Sequence, residues 1–226
     1  MRACRTALSV RDGCRSNYRR GVGVIKAQEE LGRHGSQQKR RDILVIDTET
    51  TGIDPTTDSI VEIGACLLEG ATLRQIGSFS RRVRPESPMS ASAARIHGLS
   101  DAVLSSAPPI RDALVEFSAF APASALLAGH NICFDVSHLK SSYKCARMEY
   151  PFDYHSLDIW SLAFFCHRLR PSFPAPVDLD ALVEHFGLQR SLSHSALEDA
   201  TIAADVLRIV VRQFSDPTVI GRGGNE

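Results

Sequence analysis

The chain lacks the marks of a zinc protein, a disulfide-stapled domain or a membrane protein. Its six cysteines (Cys4, Cys14, Cys66, Cys133, Cys145 and Cys166) show no C-x-x-C spacing. Neither a zinc site nor a disulfide framework is indicated, and a reducing, intracellular and cytoplasmic setting is expected. No apolar run approaches the roughly 20 residues of a membrane span, and no secretory h-region opens the chain, so no membrane partner is expected. Gly21-Val22-Gly23 has neither a preceding strand nor a third glycine, which excludes a dinucleotide site there. No internal repeat is apparent. Net charge is missing too, with 26 Lys and Arg against 26 Asp and Glu.

That balance conceals an asymmetry. Residues 1–41 hold 11 basic and 3 acidic side chains, which leaves 15 basic and 23 acidic for the rest. The leader reads as a disordered basic arm. An Arg-rich transit peptide, or an upstream start that does not belong to the fold, are the alternative readings. A length of 226 residues fits one domain with a tail. The domain is expected over residues 42–214, with 215–226 fraying. An acidic body binds phosphates poorly through charge alone. The excess makes sense if several of the acids are metal ligands.

Ile43-Leu44-Val45-Ile46 reads as a buried strand that runs into Asp47-Thr48-Glu49-Thr50-Thr51-Gly52. Side chains alternate along a strand, so Asp47 and Glu49 share a face, separated by roughly 7 Å at Cα. Further strands are expected over Ser59–Leu68 and Gln75–Arg84, and short connections favour an antiparallel meander. A short helical piece, Ser90–Arg95, leads to Ile96-His97-Gly98-Leu99, and Pro108-Pro109 opens an amphipathic helix through Phe120. A strand at Ala125–Gly129 precedes a helix over Asp135–Ala146. Helices are also expected over Leu157–Leu169, Asp178–Phe186 (stopped by Gly187) and Ser195–Phe214, with a rigid proline loop at Pro171–Pro176. The last helix carries a stripe of Leu197, Ala200, Ala204, Leu207, Val211 and Phe214. The pattern implies an α/β fold with a mixed sheet flanked by helices.

Three further residues carry chemistry. Asp135 begins a helix directly after a strand, Asp199 lies one turn into the last helix, and His194 precedes that helix. Singly, each has an ordinary explanation: a favourable helix-dipole charge, a solvated face, an idle loop histidine. Together with Asp47 and Glu49 they form a set at strand ends and helix starts, where α/β sheets gather their sites. Two carboxylates about 4 Å apart repel by roughly 4 kcal/mol at an effective dielectric of 20. Hard divalent ions would make the crowding favourable, and oxygen ligands select Mg²⁺ or Mn²⁺ over zinc.

Asp47-Thr48-Glu49-Thr50-Thr51-Gly52, His130-Asn131-x-x-Phe134-Asp135 and His194-x-Ala196-x-x-Asp199, in this order, resemble the three motifs of the DnaQ-like 3′–5′ exonucleases. The histidine of the third motif marks the DEDDh branch, which includes the proofreading epsilon subunit of bacterial DNA polymerase III. Ile60-Val61-Glu62-Ile63-Gly64-Ala65, Ile96-His97-Gly98-Leu99 and Leu179-Asp180-Ala181-Leu182 are supporting matches over residues 43 to about 212. The resemblance implies a ribonuclease H-like fold and two Mg²⁺ or Mn²⁺ ions. Asp47, Glu49 and Asp199 would hold the first, and Asp47 with Asp135 the second. His194 would be the general base, with Thr50 and His97 contacting the terminal nucleotide. It also implies 3′ ends of single-stranded DNA as substrate and nucleoside 5′-monophosphates as product, in proofreading or repair. An exoribonuclease of the RNase T or oligoribonuclease kind, and a nuclease-dead interaction module, are the alternatives. The pattern is departed from at His138 (more often an aromatic), Leu99 (more often Ile) and Ser92 (an acid in the epsilon subunit). The long tail that tethers the epsilon subunit to its polymerase has no counterpart here, so a stable polymerase partnership is not implied.

Overall fold

A computed structural model describes residues 40–167, 178–191 and 194–215. The leader up to residue 39, the proline-rich stretch 168–177 and the tail 216–226 lie outside the described residues, so the readings made for them do too. Arg41, grouped above with the leader, is tied to the body by hydrogen bonds to the Ser124 and Ala125 carbonyls and to Asp153.

Five strands form one mixed sheet: β1 Ile43–Thr50, β2 Ile60–Leu68, β3 Gln75–Arg82, β4 Leu126–Gly129 and β5 Ser156–Asp158, in the order β3-β2-β1-β4-β5. The meander expected from short connections is present, since β1 pairs antiparallel with β2 and β2 with β3. β4 and β5 are parallel additions on the other side of β1. Seven helices are described: α1 Ala91–His97, α2 Asp101–Leu104, α3 Ile110–Phe120, α4 Cys133–Cys145, α5 Ile159–His167, α6 Leu179–Phe186 and α7 Ala196–Ser215.

Strand alternation sorts β1 into two layers. Leu44 and Ile46 join one buried cluster with Leu114 and Phe117 of α3 and Leu139 and Tyr143 of α4. Val45 faces the opposite cluster, with Ile159 and Ala163 of α5 and Ala200, Ala204 and Leu207 of α7. Asp47 and Glu49, two and four residues beyond Val45, therefore point to the α7 side, and Thr48 points to the α4 side.

Two local features aim the C-terminal end of β1 at a site. β4 pairs only with Ile43–Val45, so the rest of β1 runs past its parallel neighbour and leaves that flank open. Gly64 stands opposite Asp47 in β2, and a Cβ there would meet Ala196 and Leu197 backbone atoms at 2.0–2.3 Å. Glycine thus lets the start of α7 lie directly on the sheet.

The expected elements hold to within a few residues, with three differences. The segment read as one helix from Leu157 begins as β5, and its helix starts at Ile159. Asp158 makes that corner: its carboxylate accepts from the Asn131 and Ser161 backbone N–H groups. α2 was not anticipated; it is one turn long and capped by Ser100. Of the α7 stripe, Ala200, Ala204 and Leu207 are buried and Leu197 is half-buried, but Val211 and Phe214 are exposed. Val206 and Val210 are buried in their place, so the buried face turns away from the expected line toward the end of the helix. No helix among the described residues is long and apolar enough to cross a membrane.

Candidate active site

The first motif supplies Asp47 and Glu49 from one face of β1, and the third supplies Asp199 from the first turn of α7. One carboxylate oxygen of each lies within 4.8 Å of the others. The helix is brought there by Gly64 and by Glu62, a buried acid on β2 whose Oε2 accepts from the Ala196 N–H at 3.2 Å. That bond gives an otherwise orphaned N–H at the start of α7 a side-chain acceptor, a capping role filled from a strand.

Asp135 stands beside this trio. It lies in the first turn of α4, is 3 % exposed, and its Oδ1 accepts from Thr48 Oγ1 at 2.7 Å. The turn that delivers it runs through Asn131, at φ +60°, a left-handed conformation that asparagine tolerates better than most residues. The second motif's asparagine thus has a local structural reason.

Crowding shows in the acid–base properties. Burial first, then the charges of Asp135, Asp199 and Glu49, hold the Asp47 carboxyl well above its usual range, while Arg190 pulls the other way. Glu49 is pushed up to about 7, by burial first and then by Asp199, Glu62 and Asp135. Burial raises Asp199 against the pull of Arg190 and His194, and raises Asp135 against its bonds from Thr48. Near neutral pH Glu49 and Asp135, each raised to about 7, retain protons that solvated carboxyls would have lost. A divalent ion would replace the protons, and a donor set made only of carboxylate oxygens suits a hard one.

Thr50 and His97 lie together at the edge of the cluster. Thr50 Oγ1 donates to the Gly52 carbonyl at 2.6 Å. His97 is 5 % exposed and its Nδ1 accepts from the Leu99 N–H at 3.0 Å. Burial lowers its pKa, and the Thr50 backbone opposes that shift. His138, where an aromatic was expected, is buried with its ring 4.5 Å from that of Phe134, so it packs as an aromatic would.

His194 is half-buried, with Nδ1 3.5 Å from Asp199 Oδ2. Between them stands Arg190, which the sequence reading did not single out. One of its terminal nitrogens donates to both Asp199 oxygens, at 2.6 and 2.7 Å, and lies 2.6 Å from His194 Nδ1. The other pairs with Asp180 of α6. An arginine in an irregular segment leaves no periodic signal. Its spacing, four residues before the histidine and nine before the acid, was the one available cue.

A family model described as Exonuclease (RNase_T) matches residues 44–207. DNA polymerase III subunit epsilon of Rickettsia felis is 34% identical over 170 residues, covering 72% of this chain and 71% of that relative. DNA polymerase III PolC-type of Thermotoga maritima is 33% identical over 168 residues, which are 74% of this chain but only 12% of that relative. Among solved structures, E. coli Exonuclease I in complex with a dT13 oligonucleotide superposes with a TM-score of 0.70 at 19% identity, over 78% of this chain and 42% of that one. The nuclease domain of 3′hExo, a DEDDh family member bound to rAMP, gives 0.64 at 19% identity, over 81% of this chain and 96% of that one. These neighbours share the ribonuclease H-like architecture of the mixed sheet. The family match runs from the second residue of β1 well into α7, and so spans every strand and helix that carries an acid of the cluster: the chain belongs to this exonuclease family.

Proposed function

We propose that the protein is a metal-dependent 3′–5′ exonuclease that removes nucleoside 5′-monophosphates from single-stranded DNA. The observation that carries this reading is the meeting of Asp47, Glu49 and Asp199 oxygens within 4.8 Å, inside the region matched by an exonuclease family. Asp47, Glu49 and Asp199 would hold one Mg²⁺ or Mn²⁺ ion, and Asp47 with Asp135 a second. When bound, such ions neutralise the scissile phosphodiester, acidify a water and stabilise the leaving oxygen.

The chain's own residues do the rest. The carboxylates fix the geometry from three regular elements, β1, α4 and α7, which limits the freedom that would blur an in-line attack. His194, at the rim of the cluster, takes the proton from the attacking water as general base. Thr50 and His97 hold the terminal nucleotide beside the end of β1. Two relatives are named as polymerase III proteins and one neighbour is described with bound dT13. These names support DNA as the polymer, and proofreading or repair beside a polymerase as the setting.

The test is digestion of 3′-blocked and 5′-blocked oligonucleotides, with matched DNA and RNA strands, in Mg²⁺ and in EDTA. The reading expects shortening of DNA from a free 3′ end in Mg²⁺ alone. Digestion of the 3′-blocked strand, or turnover that survives EDTA, refutes it; faster digestion of RNA replaces the polymer.

A further inference from the structure

We infer that Arg190 is a resident cation of the metal-free site, which the first divalent ion displaces from Asp199 as it binds. The inference rests on the reading of Asp47, Glu49 and Asp199 as a metal site. It concerns what fills that site's need for positive charge beforehand.

Four observations lead there. Arg190 is 9 % exposed at its side chain, so a formal positive charge is enclosed beside the acids. A single nitrogen contacts both Asp199 oxygens, and one of those oxygens belongs to the set that converges with Asp47 and Glu49. A guanidinium and a divalent ion on the same small carboxylate repel each other.

The third observation concerns His194. A guanidinium can only donate, so the 2.6 Å contact makes His194 Nδ1 the acceptor and puts the ring proton on Nε2. In that tautomer no ring nitrogen is free to take a proton from water. Arg190 therefore ties up both a ligand and the base, and one withdrawal releases both. The fourth is that a place to withdraw to exists. The other end of the fork already pairs with Asp180, whose side chain is 70 % exposed. The segment that carries Arg190 begins at Gly187, the left-handed cap of α6 (φ +64°), and is fastened to α7 by the Ser191 N–H and Oγ–H bonds to Glu198. Those anchors leave the backbone in place while the side chain moves.

The alternative role is a permanent brace that orients Asp199 whether or not metal is bound. The two differ in sign. A displaced cation competes with metal, so its removal tightens binding; a brace aids the ligand, so its removal weakens binding. Mn²⁺ binding to the full chain is to be measured by calorimetry for the wild type, Arg190→Met and Arg190→Lys. Arg190→Met keeps an apolar stem and should bind about tenfold more tightly or better, because the fraction of protein with Asp199 uncovered rises. Its melting temperature should fall in EDTA yet match the wild type in saturating Mn²⁺. Arg190→Lys, which keeps the charge and loses the fork, should lie between.

A measurement on the unaltered chain guards against a variant that does not fold. The ¹⁵N spectrum of the imidazoles should show His194 protonated at Nε2 in EDTA and lose that fixed signature when Mg²⁺ is added. Unchanged or weaker Mn²⁺ binding by Arg190→Met, or a His194 signature indifferent to Mg²⁺ that binds, overturns the role of Arg190. A wild-type chain that binds no divalent ion removes the metal-site reading itself, and this inference with it.

Discussion

Gly64→Ala tests whether the sheet and the site are one construction. Gly64 is held from both sides, opposite Asp47 in β1 and opposite Ser80 in β3. The added methyl would sit 2.0 Å from the Ala196 carbonyl carbon, and its two next neighbours, at 2.2 and 2.3 Å, are backbone as well. No rotamer can relieve such a clash, and a strand pinned on both edges has little room to yield. The start of α7 must retreat instead, opening 2.0 Å to about 3.4 Å, the lower limit of ordinary contact. That movement breaks the Glu62–Ala196 bond and carries Asp199 away from Asp47. Overpacking costs about 1–3 kcal/mol where side chains can adjust. With backbone on backbone, a loss of at least about 3 kcal/mol is expected in urea unfolding, together with loss of Mn²⁺ binding. Gly77→Ala is the control. Its Cβ would meet the edge of the Phe120 ring at 3.1 Å, a side chain able to tilt, so less than about 1 kcal/mol should change. A Gly64→Ala protein that unfolds within about 0.5 kcal/mol of the wild type and still binds Mn²⁺ would refute the reasoning.

Asp47→Asn removes an acid whose ionised form is penalised by burial and by its neighbours; it should raise the metal-free melting temperature while cutting turnover by at least about 10²-fold, and a metal-free protein that melts lower would count against the repulsion read here. Thr48→Val keeps shape but strips Asp135 of its 2.7 Å hydrogen bond, so a cost of about 1–3 kcal/mol is expected by chemical denaturation, and a neutral result would show that bond to be idle. Metal-free stability should fall as pH rises, because a carboxyl whose folded pKa is raised favours folding fully below its unfolded value and loses that contribution as pH passes its folded one. For Glu49 the window runs from about 4.5 to about 7 and spans about 3 kcal/mol, so melting in EDTA should decline from pH 5 to 8, saturating Mg²⁺ should offset the decline, and a flat or rising EDTA profile would contradict it.

Much of this architecture was legible because it repeats. Val45, Asp47 and Glu49 follow the two-residue period of a strand, and the buried part of α7 follows the helical one, so the faces of both could be read before any contact was known. What lacked a period was missed. β5 has three residues, too few to alternate visibly, and its role at Asp158 depends on Asn131, 27 positions away. The far end of the α7 stripe differs because the buried face passes through Val206 and Val210, and adjacent apolar residues such as Val210 and Val211 leave the period ambiguous there. In the site, the acids could be found by type and spacing, and their convergence depends on Gly64 and Glu62, which the sequence marks as part of a strand and of a supporting family match without showing what either one holds. Arg190 offers only its spacing to His194 and Asp199, which local pattern does not raise above that of any other basic loop residue.

The two halves of β1 make opposite demands on folding. Leu44, Val45 and Ile46 are wholly buried and favour the compact state, while Asp47 and Glu49 extend the same strand into a place where burial penalises their ionised forms. Such a cluster persists only if something lowers its charge, and the metal-free protein has two means, protons kept to near neutral pH and the guanidinium of Arg190. Both are reversible, and both act on atoms that a hard divalent ion would use. The repulsion that destabilises the empty cluster is therefore not separate from its affinity for such an ion. Every unit of charge left unneutralised in the folded chain returns as binding free energy when metal arrives, whereas protons and Arg190 subtract from it. It follows that substitutions relieving the repulsion should stabilise the apo protein and weaken metal binding together, while removal of Arg190 should do the reverse of both.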